Sequence, residues 1–244
     1  MRLPFHAVKM LTVAALPLAL AACSSTSTDS AGGTPTAATP SKAKDPDAGL
    51  LTGTQLKEAL APSSYFPSGF AADPSLARDT GDTYQVSATK TAAKPNCADL
   101  AATSWISLTG VEGVSFAQNS YIDKDTSAEL DQEIDVYRGT VAADVLKDLA
   151  SVVAACPSYT DSDTQSKVTV TGASTAGLGD AAYTITLTDS AWESGTTLIA
   201  SRSGTAVVSV LSTDGADNGA ASAKKLAEQV LNAVKSGGGT AGQS

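Results

Sequence analysis

Apolar residues recur at helical spacing in two long stretches of the chain. The first follows Thr140 and stops at Pro157; its apolar positions are Val141, Val145, Leu149, Val152 and Cys156. The second runs from about 218 to 235; its apolar positions are Ala223, Leu226, Ala227, Val230, Leu231 and Val234. Because residues three or four apart share one side of an α-helix, both stretches are predicted to be amphipathic helices.

Two shorter helices are predicted from their end signals. Thr54 is a suitable N-cap for residues 55–60, and Pro62 limits any continuation. Asn96 is a suitable N-cap for a second short helix, which would place Cys97 in its first turn. Residues 62–82 contain several prolines and glycines and are predicted to be irregular, with three aromatic anchors: Tyr65, Phe66 and Phe70.

Residues 128–137 alternate strictly between apolar and acidic side chains, with Gln132 as the interruption. The apolar positions are Leu130, Ile134 and Val136, and the acidic positions are Glu129, Asp131, Glu133 and Asp135. A period of two predicts a half-buried antiparallel strand whose acidic side faces solvent. With Asp123 and Asp125 the acids could instead form a calcium site, but the glycine and ligand spacing of an EF-hand loop are absent. Paired carboxylates also serve glycoside hydrolysis, although aromatic sugar platforms are scarce here.

Five further segments have strand-like patterns: 114–122, 167–171, 182–188, 196–202 and 205–211. The last two are separated by Ser203 and Gly204, which suit a tight hairpin turn. The strands come in runs between the helices, so the predicted fold class is α+β, an antiparallel sheet with helices packed mainly on one face. The folded unit is predicted to span about 50–235.

The segments on either side of this unit have different compositions. Residues 1–22 combine a positive start, an apolar run and small residues, as a secretory signal peptide does. The motif Leu20-Ala21-Ala22-Cys23 resembles the lipobox of bacterial lipoproteins, which implies that Cys23 receives diacylglycerol and acyl chains such as palmitate. An ordinary signal peptide or a membrane helix with a chance cysteine is the alternative, but the apolar run is short for a membrane span. Residues 23–49 are predicted to be a disordered linker, and 236–244 a disordered tail.

Charge and histidine content exclude several classes of function. The net charge of −9 would move to about −11 once Arg2 and Lys9 leave with the signal peptide. An acidic surface repels phosphate backbones, so no nucleic-acid partner is expected. His6 is the single histidine and would leave too, which removes His-dependent triads and histidine metal sites. A Ser-Lys pair or a carboxylate with a strongly raised pKa is the alternative that the sequence leaves open. We predict a non-enzymatic protein with no catalytic residues, no metal and no cofactor.

Cys97 and Cys156 remain once Cys23 is assigned to lipid. In an oxidising compartment the default for two cysteines is one structural disulfide. A redox-active or metal-binding pair is the competing interpretation, but it lacks a C-x-x-C spacing and a nearby histidine. Cys156 lies on the apolar side of its helix, so the bridge is predicted to be buried and to join this helix to the one beginning at Asn96.

Several short motifs follow one another as they do in a known family. They are Pro95-Asn96-Cys97, Ala154-Ala155-Cys156-Pro157, Gly177-Leu178-Gly179-Asp180, Arg202-Ser203-Gly204-Thr205 and Ala206-Val207-Val208. This succession resembles the extracellular sensor domain of the actinobacterial receptor kinase PknH, which also occurs on free lipoproteins. The resemblance covers about 50–235 and implies the fold, the disulfide and a groove for an unidentified ligand. The sequence has no attached kinase and no cysteines for the family's second disulfide.

No ligand-binding residue can be named from the sequence. Gly177 and Gly179 suit turn geometry better than a phosphate loop, since no lysine follows. Trp105 and Trp192 could line a groove, or could serve core packing and loop anchoring respectively. Two functions remain: a lipid-anchored extracellular protein that binds a small or apolar ligand or a partner protein, or an accessory envelope lipoprotein without a pocket. A groove between sheet and helices would favour the first, and a filled core the second.

Overall fold

One antiparallel sheet organises the part of the chain that the structure describes. The structure is a computed structural model that describes residues 45–86 and 94–240, with side chains as far as residue 237. Within these ranges the sheet has nine strands in the order β1-β3-β4-β9-β8-β7-β6-β5, and β2 pairs with β3 beside β1. The strands are β1 (Phe70–Ala72), β2 (Arg78–Asp79), β3 (Ser115–Asp123), β4 (Glu129–Val136), β5 (Ser158–Thr160), β6 (Lys167–Ser174), β7 (Ala181–Thr188), β8 (Thr196–Ser203) and β9 (Ala206–Ser212).

Four α-helices and two short 3-10 helices complete the architecture of the described ranges. The α-helices are α1 (Gly53–Ala59), α2 (Ile106–Thr109), α3 (Val141–Ala155) and α4 (Ala220–Thr240), and the 3-10 helices span Ser63–Tyr65 and Cys97–Ala101. None of the helices in the described part of the chain combines the length and the apolar character that a membrane span requires. The α+β class, the antiparallel sheet and the Cys97–Cys156 disulfide are confirmed.

The helices pack on both faces of the sheet, whereas the sequence pattern predicts them mainly on one. α1 and α4 cover one face, here called the α4 face, and α3 covers the other, the α3 face. The reason lies in β8 and β9, whose residues from Thr196 to Ser201 and from Ala206 to Ser212 are all buried. Strands that are apolar on both sides need cover on both sides, because each uncovered face would leave apolar surface in water.

The α4 face carries the apolar half of β4. Leu130, Ile134 and Val136 pack there with the buried side of α4, as the alternation predicts. Gln132 also points to this face and is fully buried. Its amide accepts from the Ala61 backbone N–H at 2.8 Å and donates to the Ala61 carbonyl at 3.1 Å, so the polar interruption joins the end of α1 to the sheet.

The α3 face holds a separate core. α3 contributes Val145, Leu149 and Val152 as predicted, and these pack against Leu198 and the other α3-face side chains of the central strands. Cys156 caps α3 and is buried, and its bridge to Cys97 spans 5.6 Å between Cα atoms. The disulfide therefore holds the 3-10 helix of residues 97–101 against this core. The helix predicted to begin at Asn96 is this single 3-10 segment, and α2 follows separately.

The ends of several elements differ from the prediction for local reasons. Thr52, rather than Thr54, caps α1, because Thr52 and Gln55 form a reciprocal capping box that Thr54 and Lys57 cannot form. The folded part begins before residue 50, since Asp47 pairs with Arg138 at 2.6 Å. Residues 236–240, predicted as disordered tail, continue α4, and the Ser236 hydroxyl donates to the Ala233 carbonyl.

The turns between strands use glycines with positive φ, as predicted for Gly177 and Gly179. Gly179 has φ +64°, and a Cβ there would lie 2.2 Å from the Arg202 carbonyl oxygen. Any side chain at this position would therefore push β7 and β8 apart. Asp180 next to it accepts from the Gly204 N–H at 2.8 Å, which ties the turn before β7 to the β8–β9 hairpin.

Candidate ligand-binding site

The acidic residues of β4 face the α3 side of the sheet, in the interior of the domain. Glu133 is 3% exposed and Asp135 is 8% exposed, and Asp131 is partly buried. The prediction of a solvated acidic strand face is therefore wrong for these three residues. The physical reason is position: β4 pairs with β3 on one side and β9 on the other, and the segment of residues 97–109 packs over the α3 face beside it.

Glu133 occupies the middle of a polar row that crosses three strands. It is paired with Gln118 of β3 on one side and Ser209 of β9 on the other. Its Oε2 accepts from the Thr103 hydroxyl at 2.8 Å. Burial raises the pKa of Glu133, an effect that the Thr103 hydrogen bond and the charge of Arg78 oppose in part.

Asp135 is buried without a partner. Among the residues that the structure describes, no hydrogen bond and no ion pair reaches its carboxylate. Burial raises its pKa well above the ordinary value, and the negative charges of Glu133 and Glu112 add to that rise. Burial makes the ionised form of this carboxylate costly, and no protein donor in the described structure offsets that cost.

Asp131 is the third carboxylate on this face, opposite Ser120 of β3. Its Oδ1 has no hydrogen-bond partner in the described structure. Burial raises the pKa of Asp131 to about 6, and the hydroxyl of Ser120 opposes that rise. Three carboxylates at alternate positions of one strand therefore hold protons more tightly than they would in water.

The segment of residues 97–109 forms one wall of the site. The disulfide fixes its beginning, and Trp105 fixes its middle, since this side chain is 1% exposed and its Nε1 donates to the Ser209 hydroxyl. Ser209 lies on β9 directly beside Glu133. The wall is thus attached to the same polar row that holds the carboxylate.

Between this wall and β3–β4 lies a cavity of about 190 Å³, called here the acidic cavity. Its acidic lining is Glu112, Glu133 and Asp135, and its aromatic lining is Trp105, Phe116 and Tyr137. Arg78 and Gln118 also line it, with the exposed Arg78 donating to Gln118 at 3.3 Å. A neighbouring depression of about 220 Å³ also borders Glu133 and reaches Asp131. Both spaces are smaller than the roughly 300–1,000 Å³ of sites for drug-sized ligands.

Most of the space between the sheet and the long helices is filled, and a depression of about 300 Å³ remains at the end of α4, where Val136, Ala206 and Val234 meet. The apolar side chains of α3 and α4 are in contact with the strands on their respective faces. A wider and more open depression of about 720 Å³ lies at the end of the sheet, where Trp192, Thr126 and Gly215 meet. Most of its lining residues come from turns and loops, and Trp192 is only partly buried against the α3-face core.

The structure places the two candidate tryptophans, Trp105 and Trp192, in the linings of two different depressions. Trp105 belongs to the core and also lines the acidic cavity, so the two interpretations of this residue hold together. Trp192 lines the wider depression and is absent from the lining of the acidic cavity. Within the described ranges no group of three or more acidic, cysteine or histidine side chains is arranged to hold a metal ion. Cys23 and the rest of the predicted lipobox lie outside the described residues.

The burial of Glu133 and Asp135 beside a cavity is the main point that reasoning from the sequence missed. One signal was present: residues 206–211 are nearly all apolar, which predicts a strand covered on both faces. A strand that pairs with such a neighbour has a strong chance of being covered on both faces as well. The strand pairing that makes β4 this neighbour is set by the tertiary structure.

Comparison with known proteins adds no assignment to this geometry. A scan against protein-family models finds none that matches the chain, and a search of curated proteins finds no significant match. The functional conclusion therefore rests on the residues and the site themselves.

Proposed function

We propose that this protein is a non-catalytic binding protein, held at the outer face of the cell membrane by lipid on Cys23, that takes a small ligand into the acidic cavity. The observation that carries the proposal is Asp135, a carboxylate that is 8% exposed, has no donor among the described residues and lines an open cavity. A carboxylate whose pKa burial perturbs, in a cavity where polar groups converge, is typical of a functional site.

The rigidity of the surroundings supports binding at this place. Both carboxylates stand on a central strand, and the opposite wall is fixed by a disulfide and by the Trp105 hydrogen bond. A site that is already formed loses little conformational entropy when a ligand enters. Aromatic and polar groups that converge on one concave space are typical of small-molecule sites.

The accessory function is the second candidate, and one observation favours it. Apolar side chains pack the cores between the sheet and α3 and between the sheet and α4, and the depression beside the end of α4 measures only about 300 Å³. The acidic cavity lies elsewhere, over β3 and β4 beside residues 97–109. The two candidates therefore differ in whether this smaller cavity is ever occupied.

Native mass spectrometry of the full-length protein, purified in detergent from its own host, tests the proposal. We expect a bound small molecule in the wild type and in Ser107→Leu, and none in Ser104→Leu. Ser104 lines the cavity, so a leucine there fills part of it, whereas the neighbouring Ser107 is exposed and lies outside the lining. The absence of any ligand in the wild type, together with a flat thermal-shift screen, would favour the accessory function.

A turnover screen tests the non-catalytic part separately. Esterase, peptidase, glycosidase and phosphatase substrates should remain uncleaved, because the described residues offer no metal cluster and no histidine base. The raised pKa of Asp131 makes it the most suitable general acid near the site. Activity that disappears in Asp131→Asn would therefore contradict the proposal.

A further inference from the structure

The chemistry of the acidic cavity points to the class of ligand. Its lining contains three acidic side chains, Glu112, Glu133 and Asp135, and a single basic one, Arg78. Arg78 donates to Gln118, and among the described residues no ion pair joins it to either buried carboxylate. Carboxyl groups therefore outnumber basic groups in the lining, and a bound cation stabilises their ionised form against the burial that raises the pKa of Glu133 and Asp135. The lining disfavours anionic ligands and favours cationic ones.

The hydrogen-bonding groups narrow the class further. Asp135 accepts no hydrogen bond within the described structure, and an ionised carboxylate has only acceptor sites. Glu133 receives the Thr103 hydroxyl on one oxygen, and its carboxylate lines the same cavity. The ligand that suits these groups is therefore a donor that is also positively charged, because its charge lowers the pKa of the carboxyl groups and keeps them ionised as acceptors. A neutral donor would leave the charges uncompensated, and a quaternary ammonium would leave the acceptor sites unfilled.

The remaining walls of the acidic cavity suit an apolar part of a ligand. Trp105, Phe116 and Tyr137 line the cavity with ring surfaces, and Ile106 and Val111 contribute aliphatic surface. Aromatic faces also attract a cation placed over them. The volume of about 190 Å³ limits the occupant to a small molecule.

We infer that the acidic cavity binds a small organic cation, a primary ammonium or guanidinium group on a short apolar stem, with Asp135 and Glu133 accepting its N–H donors. This inference rests on the proposed function, because it names the ligand class of the same cavity. A free small molecule is the occupant that the volume of the cavity favours.

The test uses n-butylammonium chloride as the probe, with the full-length protein in detergent and with ionic strength matched by sodium chloride. Three compounds serve as controls: n-butanol for the neutral stem, butyrate for the anion and tetramethylammonium for a cation without donors. Isothermal titration at pH 7.5 gives the affinity. The indole N–H signal of Trp105 in a ¹⁵N-labelled sample reports on the site itself, and Trp192→Phe identifies which of the two indole signals it is.

Butylammonium should bind and shift the Trp105 signal, and each control compound should bind roughly tenfold more weakly or not at all. Asp135→Asn should weaken butylammonium binding by roughly tenfold or more, since it removes a charge-assisted hydrogen bond. The matched control Asp148→Asn, an exposed acid on α3, should leave the affinity unchanged. Should Asp135→Asn fail to fold, the same comparison is made with Glu133→Gln.

The outcomes separate this inference from the proposed function. Equal binding of butanol and butylammonium, or butylammonium affinity that Asp135→Asn leaves intact, would overturn the inference. A neutral or anionic ligand found in the cavity by native mass spectrometry would also overturn it, while leaving the proposed function in place. The proposed function itself would be contradicted only if no ligand of any class occupied the cavity.

Discussion

The environment of an acidic residue depends on whether its side of the strand is covered by other elements. Three residues of β4 show this: Asp131, Glu133 and Asp135. All three are acidic, and all three lie at alternate positions of β4 on the α3 face. Burial raises the pKa of each. Their common effect is to make the folded protein bind protons more tightly than the unfolded chain does, which links stability to pH.

We predict that the free energy of unfolding falls as pH rises from 5 to 7.5. A carboxyl group whose pKa is raised in the folded state stabilises the fold fully below its unfolded pKa. It loses that contribution as pH rises through the folded value, which is about 6 for Asp131. Asp131→Asn should therefore flatten the decrease by about 1 kcal/mol over this range, an upper figure because the residue is partly exposed.

Urea denaturation of the wild type and of Asp131→Asn at several pH values measures this change. Asp148→Asn, an exposed acid, is the control and should keep the slope of the wild type. A stability that rises towards pH 7.5, with the same slope in all three proteins, would contradict the assignment of raised pKa values. Asp73, Asp79 and Asp161 have lowered pKa values, so their opposite contribution is lost only at more acidic pH.

A second prediction at this scale concerns Trp105. Trp105→Phe removes the donor to the Ser209 hydroxyl and leaves a void in a fully buried position. We expect a loss of about 2 kcal/mol or more in the free energy of unfolding. Trp192→Phe, at a partly buried position, should cost clearly less. Equal costs measured by urea denaturation would show that the Trp105 hydrogen bond and packing contribute little.

At the scale of elements, the 3-10 helix of residues 97–101 connects the disulfide to the binding site. It carries Cys97, packs against β5 and α3, and leads directly into the wall that contains Trp105. The short helix has too few hydrogen bonds to be stable by itself, so the bridge to Cys156 supplies the constraint that it lacks.

We predict that Cys156→Ala destabilises the domain by roughly 3–4 kcal/mol, because the bridge closes a loop with a sequence separation of 59 residues. Ligand affinity should fall as well, because the segment of residues 97–109, which forms one wall of the acidic cavity, is no longer tied to the end of α3. Denaturant titration and the butylammonium titration measure the two effects. As a check on the pairing, a thiol reagent applied to the denatured, unreduced wild-type protein should modify neither Cys97 nor Cys156. Unchanged butylammonium affinity in a folded Cys156→Ala protein would show that the disulfide does not contribute to binding at the acidic cavity.

At the scale of the whole molecule, the sheet divides the domain into two cores of different character. The α4 face is closed by α1 and α4 and is apolar apart from Gln132 and a few small polar side chains. The α3 face is apolar beneath α3 but acidic at β4, where α3 does not reach and residues 97–109 cover the strand instead. The candidate site therefore lies on the part of this face that residues 104–113 cover, and its lining contains no residue of α3.

The predicted anchor is tested on the intact chain. Two acyl chains on Cys23 would hold the protein stably at the membrane, since each buried methylene contributes about 0.8 kcal/mol. Cys23→Ser should abolish labelling by radioactive palmitate and should release the protein into the medium or leave an unprocessed precursor. Cys97→Ser, outside the lipobox, should keep the label. A processed and membrane-bound Cys23→Ser protein would contradict the lipobox prediction.

Much of the fold follows from local patterns in the sequence. The periods of 3.6 and 2 predict α3, α4 and the six longer strands close to their observed positions, because those periods reflect which side of an element faces the core. The number of cysteines predicts the Cys97–Cys156 bridge, since two thiols in an oxidising compartment pair by default. The resemblance to the sensor domain, the lipid on Cys23 and the absence of catalysis remain predictions.

Only the tertiary structure decided what lies on each face of the sheet. Alternation shows that one side of β4 differs from the other, but it carries no information about what covers the acidic side. That depends on the pairing of β4 with β9, on residues 97–109 and on the disulfide, all of which join residues far apart in the chain. For this reason the sequence favours a solvated row of acids, and the fold turns Glu133 and Asp135 into buried carboxylates that line a cavity.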